Sequence, residues 1–157
     1  MRGIALSIVV VTVLSLAGCA RRPAPVQAPI EQPQAAPVAG NPEAEKAAVV
    51  ATDAWLKLVD DGKYDESWKQ SGKLFQTAVN QAAWSKQLDT VRGSLGKVSS
   101  RSVKSTQYAT SLPGAPDGEY VVVQYDTSFE MKRTAVETIT PMKEADGSWR
   151  VSGYFIK

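Results

Sequence analysis

Few side chains in this chain could do chemistry. There is no histidine and only one cysteine, Cys19. Zinc, copper and haem sites draw most of their ligands from those two residue types. Neither a Ser-His-Asp nor a Cys-His nucleophile can be assembled without them, and a lone thiol excludes an intrachain disulfide. Catalysis would have to run on carboxylates, tyrosine, lysine or arginine. Spacing singles out one such set. Arg92 and Arg101 flank an expected helix-to-strand turn, and Glu130 and Glu137 lie on expected strands facing them. A carboxylate in a closed apolar cone has a raised pKa and can act as a base. The same residues, as Arg–Glu pairs, would instead fix strand register or clamp a loop, and pairing is the expected role. Tyr125 and Asp126 are neighbours on a strand, so they point to opposite faces and cannot act on one substrate. Asp60-Asp61 and Asp65-Glu66 read as solvated helix-end charges, since they lack the glycine turn and terminal glutamate of a calcium loop. No metal or cofactor is expected.

Two further groups point to recognition rather than reaction. Trp55, Tyr64, Trp68 and Trp84 all fall in the helical half. They could rim an apolar pocket, but the expected role is core, with indole N–H groups bonded locally. Pro113-Gly114-Ala115-Pro116-Asp117-Gly118 packs prolines and glycines into a short defined loop. Such a loop either presents recognition groups or serves only as a hairpin connection. The candidate binding residues are therefore Trp84, Arg92, Arg101, Pro113, Gly114, Pro116, Asp117 and Gly118.

Cys19 has a different expected fate. Arg2 gives a positive start, and Ile4 to Leu16 is an apolar run broken only by Ser7, Thr12 and Ser15. It falls short of the roughly 20 residues that a membrane-spanning helix needs and fits the apolar region of a signal peptide. Leu16-Ala17-Gly18-Cys19 follows and resembles the bacterial lipobox. The resemblance implies cleavage before Cys19 and lipid on its sulfur, with an uncleaved anchor or an ordinary signal peptide as the alternatives. One acyl chain holds a protein marginally and two or more hold it stably. Ala20, in place of the aspartate of an inner-membrane retention signal, favours the outer membrane with the domain facing the periplasm. The partners this implies are the membrane, through the lipid on Cys19, and an envelope protein or wall polymer.

Residues 20–41 alternate prolines (Pro23, Pro25, Pro29, Pro33 and Pro37) with small or polar residues. A stretch of this composition cannot bury enough apolar surface to fold and favours polyproline-like geometry. At about 3.1 Å per residue it could reach ~60 Å from a bilayer. The expected organisation is thus signal peptide 1–18, lipidated cysteine and tether 19–41, and one domain over 42–157. Of the formal net charge of +2, none belongs to that domain, because Arg2, Arg21 and Arg22 outnumber Glu31 by that margin. A balanced domain gives no electrostatic footprint for nucleic acid.

The elements that must position these residues follow from caps and periods. Asn41-Pro42-Glu43 is a helix start, and Ala47, Val50, Ala51, Ala54 and Leu58 recur at helical spacing as its expected buried face. Gly62 is the expected C-cap. A short helix is expected from Tyr64 to Gln70, and another turn or two around Leu74, Phe75, Ala78 and Val79. Asn80 caps a helix through Arg92 whose Trp84, Leu88 and Val91 share a face, with Gly93 and Gly96 ending it. The period then changes to two. Strands are expected over Val98 to Tyr108, Glu119 to Glu130, Thr134 to Thr140 and Trp149 to Ile156, with a hairpin turn at Asp146-Gly147. On the second strand Val121, Val123, Tyr125, Thr127 and Phe129 share one face, leaving Tyr120 and Val122 on the outer face as a possible dimer surface. Helices followed by an antiparallel meander define an α+β class, with the N-terminal helices packed on one face of a cone-like sheet of about four strands.

Three runs of residues resemble a known family when taken in order. They are Trp84, Leu88, Arg92, Leu95-Gly96 and Arg101; then Pro113 to Tyr120; then Trp149-Arg150-Val151-Ser152-Gly153-Tyr154. Together they resemble the bacterial family of unknown function DUF4019 over most of 43–157, a resemblance that implies no established activity. The order of elements also resembles the nuclear-transport-factor-2-like cone, which hosts both enzymes and non-catalytic modules. The expectation is a membrane-anchored, non-enzymatic binding or structural domain. The rival is a small-molecule binder or carboxylate-dependent enzyme with an apolar cavity and an inward carboxylate or tyrosine.

Overall fold

Asn41 opens the first helix as its composition requires: its side-chain oxygen accepts from the Ala44 N–H at 3.1 Å, and Pro42 occupies the first helical position, where no N–H is needed. The computed structural model describes residues 40–157. The expected signal peptide, the expected lipidation at Cys19 and nearly all of the expected tether lie outside the described residues. Four helices come first, α1 (Pro42–Asp60), α2 (Tyr64–Gln70), α3 (Lys73–Ala78) and α4 (Gln81–Leu95). Four strands follow, β1 (Val98–Ala109), β2 (Tyr120–Phe129), β3 (Ala135–Lys143) and β4 (Trp149–Ile156), paired antiparallel in sequence order.

α1 ends as its glycine dictates. Gly62 takes φ 73°, and the Lys63 and Gly62 N–H groups donate to the Leu58 and Val59 carbonyls, which satisfies two orphan acceptors of the last turn. The buried face of α1 differs from the expected one. Ala44, Ala48, Thr52, Trp55, Leu56 and Val59 are buried, whereas Ala47, Val50 and Ala54 are exposed and Ala51 and Leu58 are half-buried. Both sides of this helix carry alanine and valine, and the large Trp55 and Leu56 decide which side turns inward because they bury the most apolar area.

α4 starts at Asn80, whose side chain accepts from the Ala83 N–H at 2.9 Å. It passes through Gly93 and ends only at Gly96, which has φ 75°. Its buried residues are Trp84, Leu88 and Arg92, one helical turn apart, so Arg92 takes the inward place expected of Val91. β3 runs to Lys143, beyond Thr140, and accommodates Pro141 at a register irregularity between Thr140 and Pro141, where a missing ladder donor is tolerated.

The helices cover the sheet face formed by Val121, Val123, Tyr125, Thr127 and Phe129 of β2, all buried. The other face is mostly polar. Tyr120, however, is fully buried there, because the 113–118 loop folds over its ring and the Pro116 carbonyl accepts its hydroxyl at 2.6 Å. Tyr120 is therefore no part of an exposed dimer surface.

Between helices and sheet sits an aromatic cluster. Trp84 meets Phe75 edge-on at 4.8 Å between ring centroids, and Tyr154 meets Trp55 at 5.4 Å. The indole N–H groups are bonded locally. Trp55 donates to the Ser67 carbonyl at 2.8 Å, Trp84 to Ser67 Oγ at 3.0 Å and Trp68 to the Val79 carbonyl at 2.6 Å. Ser67 on α2 is thus the polar hub that lets two buried tryptophans keep their N–H groups satisfied.

Candidate functional site

Glu137 is the central group. The inward alternation of β3 places Ala135, Glu137 and Ile139 on the helix-covered face, and all three are buried, Glu137 with 0% exposure. A carboxylate there is costly unless its lone pairs are filled. Three donors engage its two oxygens. Arg101 Nε reaches Oε2 at 2.7 Å, Thr127 Oγ1 reaches the same oxygen at 2.6 Å, and the Tyr154 hydroxyl reaches Oε1 at 2.6 Å. Arg92 Nη1 stands 3.6 Å from Oε1, an ion pair without a hydrogen bond.

Asp60 closes the other side of the two arginines. It accepts from Arg101 Nη1 at 2.6 Å and Nη2 at 3.1 Å, and it also pairs with Arg92 Nη2. Arg92 lies over the Phe129 ring with its guanidinium carbon 4.9 Å from the centroid. Two cations thus balance two carboxylates in a network that ties α1, α4, β1, β2, β3 and β4 together. Burial disfavours the charged form of Arg101, but the hydrogen bonds to Asp60 and Glu137 outweigh it and raise the pKa above the ordinary arginine value. Burial raises the Tyr154 phenol well above its ordinary value, and the adjacent Glu137 charge and hydrogen bond add to the shift. Tyr125 is raised in the same way, by burial and then by its hydrogen bond to Asp53 at 2.7 Å.

This arrangement is suited to holding parts together. Both Glu137 oxygens are hydrogen-bonded, Oε1 also faces the Arg92 guanidinium, and no solvent reaches the group, so in this geometry the carboxylate is closed to a substrate proton. Beside the network a surface depression of about 380 Å³ is lined by Asp60, Arg92, Tyr64, Asp89, Lys97 and Glu130, among others. The space between helices and sheet where the rival reading needs an apolar cavity holds the Trp55, Phe75, Trp84 and Tyr154 rings.

Of the candidate binding residues, Arg92 and Arg101 come together and Trp84 lies two helical turns from Arg92 in the core. Pro113, Gly114, Pro116, Asp117 and Gly118 sit elsewhere. Arg101 pairs with Thr127 near one end of the β1–β2 hairpin, whereas Ala109 pairs with Tyr120 at the other. At about 3.3 Å per residue the two ends are ~25 Å apart. The loop is held by a turn at Gly114, φ 79°, with the Ala115 N–H donating to the Leu112 carbonyl and the Gly118 N–H to the Thr110 carbonyl, both at 3.1 Å. Pro113, Gly114, Pro116 and Asp117 are exposed.

Two expectations need correction. Asp60 is not a merely solvated helix-end charge, because both arginines hold it. Glu130 lies past the end of β2 and takes no part in the network. Its Oε2 accepts from the Lys97 N–H at 3.0 Å and clamps the α4–β1 turn. Sequence reasoning missed Asp60, Thr127 and Tyr154 as partners. Asp60 did carry a signal: a carboxylate in the last turn of a helix opposes the helix dipole and needs a cation nearby.

Fold and site together define a small α+β domain whose helices are pinned to an antiparallel sheet by a buried, self-neutralised ion network. The chain belongs to the protein family of unknown function DUF4019, whose model matches residues 51–154. Every member of the network, from Asp60 to Tyr154, falls within the match. No curated protein matches the chain.

Proposed function

We propose that the chain is an exported lipoprotein, cleaved before Cys19 and held on a membrane by lipid on that cysteine, which presents a non-enzymatic binding or structural domain to the cell envelope. The membrane is the outer one, with the domain facing the periplasm. The N-terminal pattern from Arg2 to Cys19, followed by Ala20, supports the anchoring. No helix among the described residues is long and apolar enough to cross a membrane, which is compatible with a lipid anchor.

The observation that carries the non-enzymatic part is the sealed state of Glu137. The inward carboxylate that a cone enzyme would use is instead satisfied by Arg101, Thr127 and Tyr154. The order of helices and meander strands supports a nuclear-transport-factor-2-like cone whose interior serves as core. The exposed 113–118 loop is the part of the domain offered to an envelope protein or wall polymer.

Metabolic labelling with palmitate tests the anchor. The label enters the wild-type chain, and Cys19→Ser loses it and moves to the soluble fraction. A Cys19→Ser chain that stays labelled would refute the anchoring. In-cell crosslinking from the 113–118 loop captures the partner, and a turnover lost in folded Glu137→Gln would refute the non-enzymatic reading.

A further inference from the structure

The charge of the domain is balanced in sum but divided along the strands. At the end of the sheet that carries the 113–118 loop, the connections 110–119 and 144–148 hold Asp117, Glu119, Glu144 and Asp146 and no cation. At the opposite end, the connections 96–97 and 130–134 hold Lys97, Lys132 and Arg133 against Glu130 alone. None of these cations pairs with a carboxylate among the described residues, and Glu130 is occupied by the Lys97 N–H. Among them stands Met131, 77% exposed, the most open large apolar side chain of the described residues. Its exposure belongs to a fixed turn. The Met131 N–H donates to the Leu95 carbonyl and the Glu130 N–H to the Lys97 carbonyl, both at 2.9 Å, and the Phe129 N–H to the Lys132 carbonyl at 2.8 Å. Gly96 lets this hairpin close on the α4–β1 turn, since a Cβ there would lie 2.8 Å from Glu130 Oε2.

We propose that this hairpin tip docks the domain on an anionic lipid surface, with Met131 entering the acyl boundary and Lys97, Lys132 and Arg133 meeting the headgroup phosphates. Charge complementarity selects the occupant. A negatively charged bilayer attracts basic residues at its surface, each worth about fivefold in binding. An apolar side chain flanked by cations suits the boundary where acyl chains and headgroup charge lie close together. A soluble polyanion would leave Met131 in water, and a stable protein interface would need far more apolar area than one side chain supplies. The nearest acids on the helix side are spent, Asp60 on Arg92 and Arg101 and Asp61 on Lys57 at 3.2 Å. Asp89 on α4 is exposed, and the bilayer repels it, so the hairpin rather than the helical layer faces the lipid. The proposal goes beyond the anchor and does not rest on lipid at Cys19. Its consequence is orientation: with the tip on the bilayer, the acidic end and its 113–118 loop stand away from it.

The test uses the full-length chain with an environment-sensitive fluorescent amino acid replacing Met131, mixed with vesicles of phosphatidylcholine with or without phosphatidylglycerol. With phosphatidylglycerol the probe is expected to shift to the blue and to be quenched by nitroxides in the upper acyl region. On phosphatidylcholine alone it stays in water, and the same probe replacing Asp117 stays in water on both. Lys132→Gln with Arg133→Gln lowers the docking equilibrium about 25-fold, fivefold for each cation. Far-ultraviolet circular dichroism of each variant confirms that the domain is folded. A probe at position 131 that remains in water on both vesicles, one quenched equally on both, or one shielded without quenching, as contact with a second copy would give, overturns the proposal.

Discussion

Each end of the sheet carries a glutamate held by a tyrosine and a cation, in opposite surroundings. At the loop end Glu119 accepts from the Tyr108 hydroxyl at 2.9 Å and pairs with Lys143 at 2.9 Å. At the other end Glu137 accepts from Tyr154 and Arg101. Glu119 and Lys143 side chains are 37% and 39% exposed, whereas Glu137 is sealed. The local chemistry differs little, yet the consequences for the fold do. An exposed pair trades water for protein at nearly equal free energy. A buried carboxylate without partners would cost several kcal/mol, so each of its donors becomes a condition for folding. Environment, rather than residue type, decides which glutamate the domain depends on.

The largest effect is expected from Glu137→Ala. It leaves Arg92 and Arg101 buried with only Asp60 for company, and removing one partner of such a set costs about 3–5 kcal/mol. Against a total stability of about 5–15 kcal/mol for a domain of this kind, that is a large share. Urea denaturation should show the midpoint falling steeply, while Glu119→Ala measured alongside shifts by less than ~1 kcal/mol. Equal shifts in the two variants would break the comparison.

Next comes the tyrosine on each side. Tyr154→Phe removes the only hydrogen bond to Glu137 Oε1 within this network, and a bond to a charged group is worth about 1.5–3 kcal/mol. Tyr108→Phe removes a bond that water replaces, so its shift stays within about 0.5 kcal/mol. The same denaturation curves distinguish the two.

The contrast between the ends explains how much of the molecule was legible. Caps and periodicity are local, so Asn41, Gly62, Asn80 and the alternation from Val121 to Phe129 revealed helices and strands near their observed limits. The buried face of α1 was misread because small apolar residues occur on both sides of that helix, and only tertiary packing of Trp55 and Leu56 selects one. Arg92, Arg101, Glu130 and Glu137 stood out as cations and carboxylates on facing elements, and it is the structure that separates Glu137, inward between Ala135 and Ile139, from Glu130. Asp60 did not stand out, since its partners lie 32 and 41 residues away, and nothing local to Asp60-Asp61 says which acid turns inward. For the 113–118 loop the sequence showed a defined turn, and the structure adds its position and its cover over Tyr120.

A third test uses pH. Burial, reinforced by Glu137, raises the Tyr154 phenol in the folded state, while in the unfolded chain it ionises near its usual value of about 10. The folded state therefore holds the proton more tightly, and the stability this contributes is fully present below pH ~10. As pH rises above that, the unfolded state gains by ionising and the folded state does not, so stability falls. Tyr125, raised by burial and by its bond to Asp53, acts in the same sense. Unfolding midpoints measured from pH 8 to 11 should be flat and then drop, with a shallower drop in Tyr154→Phe. An equally steep drop in that variant would place the alkaline sensitivity elsewhere.

The smallest effect is the most discriminating. Salt screens exposed charges, with a Debye length of about 8 Å at 0.15 M and 3 Å at 1 M, and leaves buried pairs much less affected. Glu119 is held below its ordinary pKa by its bonds to Lys143 and Tyr108, and its pair with Lys143 lies at the surface, where salt reaches it. The difference between wild type and Glu119→Ala, below ~1 kcal/mol at low salt, should therefore shrink toward zero at 1 M sodium chloride. The Glu137→Ala deficit should persist at the same concentration, because water and ions do not reach its site. If both deficits faded together, the Arg92–Arg101–Glu137 end would have to be open to solvent in solution, and its carboxylate would become available for the chemistry that the sealed geometry denies it.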